Sequence, residues 1–190
     1  MDLLLDLVTI ALGVGTFSAF AAATRYHFHS PKMELGAWLV AGANIAGSVL
    51  LTILAWWDEP PLTARLLGWA IMVTSLVLFL WAIAASRSAR LRFVYDPEKP
   101  HTLVQSGPYR YVRHPFYTSY MLLFIGWAIA DWQWLGAVVP ALIVALYFFA
   151  ARMEERNFAA SPLADSYADY HRRVGGFVPR SFKPYDPAQG

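Results

Sequence analysis

The sequence predicts an all-α, polytopic membrane protein with about five transmembrane helices, and three observations support this fold class. Apolar residues make up 57% of the 190 residues and charged residues only 15%, against about 45–50% and about 25% in ordinary globular chains. Several apolar runs reach the roughly 20 residues that a helix needs to cross a bilayer. Aromatic residues make up 16%, including eight tryptophans, which suits anchoring at the membrane–water interface.

The overall composition also excludes several classes of function. A formal net charge of +2 is too small to imply a nucleic-acid partner. The absence of cysteine rules out disulfides and thiolate chemistry, and five scattered histidines predict no structural metal site. We therefore expect a single domain over residues 1–190, with neither nucleic acid nor metal bound.

The first predicted transmembrane helix covers residues 3–23. A cleavable signal peptide is the competing interpretation, because small residues follow the apolar run. Such a peptide begins with a basic segment, whereas this chain carries Asp2 and Asp6 there. We therefore expect a retained helix, with Asp6 solvated near the outer surface.

Two more helices are predicted at about 35–57 and 62–85. The acidic, proline-rich sequence 58–61 between them is typical of a turn. The loop before the second helix contains His27 and His29, which we interpret as interfacial loop residues rather than functional ones.

The next apolar stretch, 116–151, is too long for a single transmembrane helix. Polar residues interrupt it at 131–134, so we expect a tight hairpin between a short fourth helix, 116–130, and a fifth, 133–151. Because the fourth helix is short, we expect it to be tilted or to continue back into the loop before it.

The C-terminal part, 152–190, is polar. Within it, apolar residues recur at steps of three and four, at Tyr167, Tyr170, Val174 and Phe177. This spacing is that of an amphipathic α-helix, which we expect to lie on the membrane surface.

The distribution of basic residues predicts the orientation. With five alternating helices, the segments 24–34 and 86–115 and the C-terminal part share one side and hold fourteen of the fifteen Lys and Arg residues. The other side holds only Arg65. Because basic residues favour the cytoplasmic side, we expect the N-terminus outside and these segments in the cytoplasm, in the inner membrane of a bacterium.

Residues 101–117 form the first of two candidate functional segments on the cytoplasmic side. Gly107 and Pro108 favour a turn, and Pro115 suits the first turn of the fourth helix, with His114 at its N-cap. Nearby tyrosines offer flat surfaces for a heterocycle or a cation. Positive-inside arginines and interfacial tyrosines explain the same residue types equally well.

The second candidate segment, 152–158, lies at the cytoplasmic end of the fifth helix. Glu154 and Glu155 stand there between Arg152 and Arg156. A solvated helix end would explain them, although its exposed ion pairs contribute only about 0.3–0.5 kcal/mol each. Two adjacent carboxylates facing a segment rich in His, Arg and Tyr are better explained as a polar site that holds a cationic cofactor.

The two segments together carry a family resemblance. The pattern is His-Thr-Leu-Val-x-Ser-Gly-x-Tyr-x-x-x-Arg-His-Pro-x-Tyr over 101–117, Glu-Glu-x-x-Phe from residue 154, Tyr-x-x-Tyr-x-x-Arg-Val from residue 167, and a later Val-Pro pair. It closely resembles the cofactor-binding signature of the isoprenylcysteine carboxyl methyltransferase and phospholipid methyltransferase family. The match covers about 101–179, nearly half of the chain.

This resemblance implies an integral membrane enzyme that uses S-adenosylmethionine. The implied cofactor-binding region comprises about 90–117 and 150–179, and its implied cofactor residues are His101, Thr102, Leu103, Val104, Tyr109, His114, Pro115, Phe116, Tyr117 and Glu154. The family also places an arginine before the paired glutamates to hold the acceptor. The nearest one here is Arg152, closer to the glutamates than in the eukaryotic enzymes.

The expected reaction is methyl transfer to a lipophilic acceptor that enters from the bilayer. A carboxylate acceptor would be positioned by Arg152 or Arg113. A lipid amine, as in phosphatidylethanolamine, would pass its proton to Glu155 or His114. Two more remote functions are those of an NADPH-dependent membrane reductase and of a non-catalytic membrane protein. Membrane lipids are expected partners, and the sequence leaves the oligomeric state open.

Overall fold

The computed structural model describes residues 3–27, 35–57, 59–87 and 102–186. Six α-helices occur in these ranges: α1 (Leu3–His27), α2 (Leu35–Leu54), α3 (Leu62–Ser86), α4 (Pro115–Asp131), α5 (Val138–Ala159) and α6 (Ala164–Arg173). Two short 3₁₀-helices cover Gly107–Arg110 and Leu135–Ala137. The same ranges contain no β-strand, which confirms the all-α prediction.

Within the described ranges, four helical segments are long and apolar enough to cross a membrane. Three of them are α1, α2 and α3, and the fourth runs through the second 3₁₀-helix and α5, over Leu135–Ala159. The remaining candidate, α4, has only 17 residues. A fifth crossing, with a hairpin between α4 and α5, therefore stays a prediction.

α4 lies in the interior of the bundle and contacts α1, α2, α3 and α5. Its side chains Leu123, Phe124 and Trp127 are fully buried. It packs most extensively on α3, where glycines let the two backbones approach: a Cβ atom at Gly68 would lie 2.4 Å from the carbonyl oxygen of Gly126. This close contact fixes the position of α4, which matters because the candidate site lies at its first turn.

Both ends of α4 follow from local chemistry. Pro115 occupies its first turn and His114 its N-cap position, as predicted, because proline lacks the N–H group that a first-turn residue leaves unpaired. At the other end Trp132 adopts a left-handed conformation with φ of 56°, and its N–H group donates to the carbonyl oxygens of Ala128 and Ile129. This conformation closes the helix before the chain turns towards α5.

At the end of the bundle opposite Pro115, Asp6 is buried rather than solvated. Its side chain is 1% exposed, and Nη2 of Arg65 donates a hydrogen bond of 2.7 Å to its Oδ1. A charge inside a membrane protein is costly unless it is paired, so this ion pair between α1 and α3 explains why Asp6 points inward. The prediction of a solvated Asp6 is therefore wrong.

α6 is the predicted amphipathic helix, but protein covers its apolar side. Tyr167 and Tyr170 are buried and, together with Val174, pack against Phe158 at the end of α5. This side of the helix is therefore not available to a membrane surface, contrary to the expectation from the sequence. Phe177, the last residue of the predicted series, lies beyond the end of α6.

Candidate active site

A pocket opens where α4 begins and α5 ends. It contains about 640 Å³ of empty space, part of which is open to solvent. Its walls come from the segment before α4, from the first turn of α4, from α5 and from α6. The lining residues are Thr102, Leu103, Val104, Tyr109, Arg113, His114, Pro115, Phe116, Tyr117, Glu154, Phe158, Tyr167 and Tyr170.

One wall of the pocket is polar and is formed by Arg113, His114 and Glu154. His114 lies at the centre of this polar wall. It is 5% exposed, and its ring nitrogens face two carboxylates: Nδ1 lies 3.5 Å from Oε2 of Glu154, and Nε2 lies 3.1 Å from Oε1 of Glu155. Burial disfavours the charged imidazole, but the hydrogen bonds and charges of the two glutamates outweigh burial and raise the pKa of His114. The geometry therefore favours an imidazolium that bridges two neighbouring carboxylates of α5.

Residues 102–114, which precede α4, are here called the pocket segment. Arg113 connects the pocket segment to α5 and α6. Its Nη2 donates a hydrogen bond of 2.6 Å to Oε1 of Glu155, and its Nη1 donates to the carbonyl oxygens of His171 and Val174. The buried Nε atom of Arg113 and the buried hydroxyl of Tyr167 have no partner with hydrogen-bond geometry among the described residues. Both residues line the pocket, and the Tyr167 hydroxyl interacts with the Arg113 side chain, so an anionic ligand would reach these buried atoms only after a small movement of the side chains.

The backbone that follows α6 is hydrogen-bonded to the pocket segment. The N–H groups of Arg113 and His114 donate to the carbonyl oxygens of Gly175 and Gly176, at 2.8 and 3.1 Å. Glycine is needed at position 175, because a Cβ atom there would lie 1.9 Å from the carbonyl oxygen of Val178. The polar wall is thus held by a part of the chain that is distant in sequence.

Aromatic rings form the apolar wall. Tyr117 stacks on His114, with 5.5 Å between ring centroids, and on Tyr147, with 5.1 Å. Phe116 contacts Phe79 edge-to-face at 5.2 Å. The faces of such rings attract cations and flat heterocycles. The carboxylate of Glu154 and several aromatic faces therefore occur together in one pocket, where they suit a positively charged group of a ligand, while Arg113 and His114 in the same lining are basic.

Tyr109 is fixed in the wall from two sides. The hydroxyl of Tyr170 donates a hydrogen bond of 2.6 Å to its carbonyl oxygen, and burial raises the pKa of the Tyr109 phenol. The turn before it needs Gly107, where φ is +57° and a Cβ atom would lie 2.5 Å from the Cβ of Ala85. Tyr109 thus lines the pocket as a neutral, buried side chain on a fixed backbone.

The sequence of the chain matches the model of a known protein family. The sequence model described as phospholipid methyltransferase matches residues 63–165, more than half of the chain, including the pocket segment and the paired glutamates. The chain belongs to the phospholipid methyltransferase family. This membership confirms the resemblance that the two sequence segments indicated.

The chain is also similar in sequence to three named proteins. The chain is 35% identical over 85 residues to the Schizosaccharomyces pombe protein-S-isoprenylcysteine O-methyltransferase, covering 43% of this chain and 34% of the relative. It is 32% identical over 153 residues to the cobalt-zinc-cadmium resistance protein CzcN of Cupriavidus metallidurans, covering 78% and 65%. It is 26% identical over 125 residues to protein-S-isoprenylcysteine O-methyltransferase B of Arabidopsis thaliana, covering 65% and 60%. The chain thus spans less than two thirds of each relative's length.

Most of the residues implied by the family signature meet in the pocket. His101 lies outside the described residues. The nine that line the pocket are Thr102, Leu103, Val104, Tyr109, His114, Pro115, Phe116, Tyr117 and Glu154. Of the three residues expected in catalysis, Arg113 also lines it, and Glu155 binds Arg113 and His114.

The structure does not bring Arg152 to the pocket wall. Its side chain is exposed, and its guanidinium carbon lies 4.9 Å from the ring centroid of Phe148. Successive residues of an α-helix are turned by about 100°, so Arg152 and Glu154 point to nearly opposite sides of α5. A role for Arg152 in holding the acceptor would require an acceptor that reaches this outer side.

Three further aromatic residues line the pocket, although they were not among the predicted cofactor residues: Phe158, Tyr167 and Tyr170. Phe158 and Tyr167 stack at 4.7 Å between centroids. All three belong to the parts of the family signature that begin at residues 154 and 167, so the sequence did contain a pattern that pointed to them. His171, whose Nε2 lies 3.8 Å from Oε2 of Glu155, carried no such signal.

Proposed function

We propose that this protein is an S-adenosylmethionine-dependent methyltransferase whose acceptor is lipophilic and enters from the bilayer. The observation that carries the proposal is the convergence of both signature segments on one pocket, around His114. The proposal includes five membrane crossings, an outer N-terminus and a cytoplasmic pocket, because fourteen of the fifteen basic residues then lie on the cytoplasmic side.

The pocket residues fit this methyl donor. Its sulfonium and amino groups are cationic, and Glu154, with a side chain 32% exposed, lines the pocket together with the rings of Phe116 and Tyr117. Its carboxylate is anionic, and the guanidinium of Arg113 is a cationic group in the pocket wall. The residues that would hold the donor thus offer a counterpart to each of its charged groups.

When bound, S-adenosylmethionine supplies an electrophilic methyl group on a good leaving group. The protein's own task is to align the acceptor with that group and to exclude water. The rings of Tyr109, Phe116 and Tyr117 provide apolar walls for this purpose. A carboxylate acceptor is already ionised at neutral pH and needs no base, so binding and alignment would be sufficient for its methylation.

Methylation of a phospholipid amine is a second candidate, favoured by the description of the matching family. An amine must lose a proton in the reaction. Oε1 of Glu155 already accepts hydrogen bonds from Arg113 and His114. Glu154 is more exposed and lies 3.5 Å from His114, so it is the better-placed proton acceptor of the two.

The proposal is tested by methyl transfer from labelled S-adenosylmethionine with the protein in lipid nanodiscs. A prenylated cysteine and phosphatidylethanolamine are supplied as acceptors, and label should appear in one of them. Alkali releases the label from a methyl ester as methanol but leaves a methylamine intact, so the product distinguishes the two candidates. Glu154→Gln should weaken binding of the methyl donor at least tenfold, whereas Asp165→Asn, an exposed change of the same chemistry on α6, should not.

Two outcomes would overturn the proposal. Saturable binding of NADPH without binding of S-adenosylmethionine would indicate a membrane reductase. A folded protein that binds neither compound would indicate a non-catalytic membrane protein. Calorimetric titration of both compounds separates these outcomes before any acceptor is known.

A further inference from the structure

Residues 178–183, which follow α6 and are here called the tail loop, are all exposed. Two of them are large and apolar: Val178 is 74% exposed and Phe182 93%. Two others, Arg180 and Lys183, are cationic, and the loop contains no acidic residue. An exposed phenylalanine flanked by cations is unfavourable in water and is typical of segments that contact a membrane surface.

Both ends of the tail loop are bonded to the segment that lines the pocket. Before the loop, Gly175 and Gly176 accept hydrogen bonds from the backbone of residues 113–114. After it, the N–H group of Tyr185 donates to the carbonyl oxygen of Arg110 at 3.0 Å, and Nε of Arg110 donates to that of Tyr185 at 2.6 Å. The loop is therefore held in place at both ends and projects from the pocket segment.

The tail loop also lies next to an exposed apolar side of α5. Phe177, the residue before the loop, has its ring centroid 6.4 Å from that of Phe148. Phe148 and its neighbour Phe149 are 44% and 67% exposed on a helix that is apolar enough to cross a membrane. One turn further along α5, the exposed Arg152 covers Phe148. The loop thus starts at the level where α5 leaves its apolar surroundings.

We propose that the tail loop binds the surface of the bilayer through anionic lipid headgroups. Phe182 and Val178 enter the interfacial layer, where aromatic and aliphatic side chains leave water. Arg180 and Lys183, together with Arg152, contact the negatively charged headgroups. This contact holds the pocket segment close to the membrane surface, because both ends of the loop are bonded to that segment. It does not depend on which reaction the pocket performs.

The absence of cysteine in the chain allows a direct test with one spin label per molecule. Ser181→Cys places the label at the centre of the tail loop, and Ser166→Cys places a control label on the exposed side of α6. Both proteins are reconstituted in nanodiscs of phosphatidylcholine, with or without phosphatidylglycerol. Collision rates with oxygen, which concentrates in lipid, and with a nickel chelate, which stays in water, are then compared.

The label at position 181 should be shielded from the nickel chelate several-fold more than the label at 166, and most strongly with phosphatidylglycerol. Adding Phe182→Ser and Lys183→Gln to the Ser181→Cys protein should remove the shielding, as should high salt for the part due to charge. Equal nickel accessibility at both positions in both lipid mixtures would show that the loop faces water or a protein partner, and would overturn the proposal. If the triple variant does not fold, the comparison of positions 181 and 166 still decides.

Discussion

At the scale of single residues, the polar wall depends on Glu155. Its Oε1 accepts hydrogen bonds from Arg113 and His114, and its side chain is 16% exposed. Glu155→Gln preserves the shape but removes the negative charge, so the buried Arg113 loses its carboxylate partner and His114 keeps only Glu154. We expect the free energy of unfolding to fall by about 1–3 kcal/mol, the usual cost of leaving such groups unsatisfied. Chemical denaturation in detergent measures it.

Glu154→Gln is the matched control for this prediction. The Glu154 side chain is 32% exposed and lies 3.5 Å from Nδ1 of His114, so Glu154→Gln should lower stability less than Glu155→Gln does, while it weakens binding of S-adenosylmethionine. Equal destabilisation by the two variants would contradict this division between a structural carboxylate and a cofactor-facing one.

The raised pKa of His114 predicts that stability depends on pH. Burial acts against the charged form, but the two glutamates outweigh it, so folding favours the bound proton. This contribution is complete below the ordinary histidine pKa of about 6.5 and is lost as the pH rises through the raised pKa. Between about pH 6 and about pH 9, the melting temperature of the wild type should therefore fall more than that of His114→Gln. Parallel curves for the two proteins would refute the prediction.

At the scale of elements, the contact between α3 and α4 should be the least tolerant of added volume. A Cβ atom at Gly68 would meet the backbone oxygen of Gly126 at 2.4 Å, and a backbone atom in a packed helix moves only with its helix. We expect Gly68→Ala to lower the free energy of unfolding by about 1–3 kcal/mol. Gly42→Ala on α2 has no neighbouring atom within 4 Å and should cost nothing. Comparable losses in both variants would point to a general effect of replacing glycine.

The elements also show which features a sequence can reveal. The start of α4 at Pro115 was predictable because the constraint is covalent and local. The inward position of Asp6 and the outward position of Arg152 were not, because they depend on which side of a helix meets a neighbour. The period of α6 correctly indicated an apolar side. The spacing of the apolar residues could not indicate that Phe158, rather than lipid, covers this apolar side.

At the scale of the whole molecule, hydropathy and charge placed both signature segments at the same end of the bundle. The family pattern then supplied the residues that line the pocket. The bonds from Gly175 and Gly176 to residues 113–114 were beyond sequence reasoning, since no local pattern relates parts of the chain so far apart. Tertiary structure was needed to show that the tail closes the site.

The structure makes the difference in basic charge between the two ends of the bundle larger than the count of Lys and Arg residues suggests. Arg65, the one basic residue expected on the outer side, is 3% exposed and paired with Asp6. In the part of the chain that the structure describes, that end of the bundle therefore carries no exposed Lys or Arg. Because Lys and Arg near helix ends favour the cytoplasmic side, this distribution agrees with the proposed outer N-terminus.

Three single-cysteine variants test this orientation together with the number of crossings. Glu59→Cys lies before α3, Trp134→Cys between α4 and α5, and Ser166→Cys in α6, all at exposed positions. With five crossings, a membrane-impermeant maleimide should label positions 59 and 134 in intact cells and position 166 only after lysis. If α4 does not cross, positions 134 and 166 exchange sides, because α5 then runs in the opposite direction. Labelling at 59 and 166 but not at 134 would therefore reject the fifth crossing while retaining the outer N-terminus.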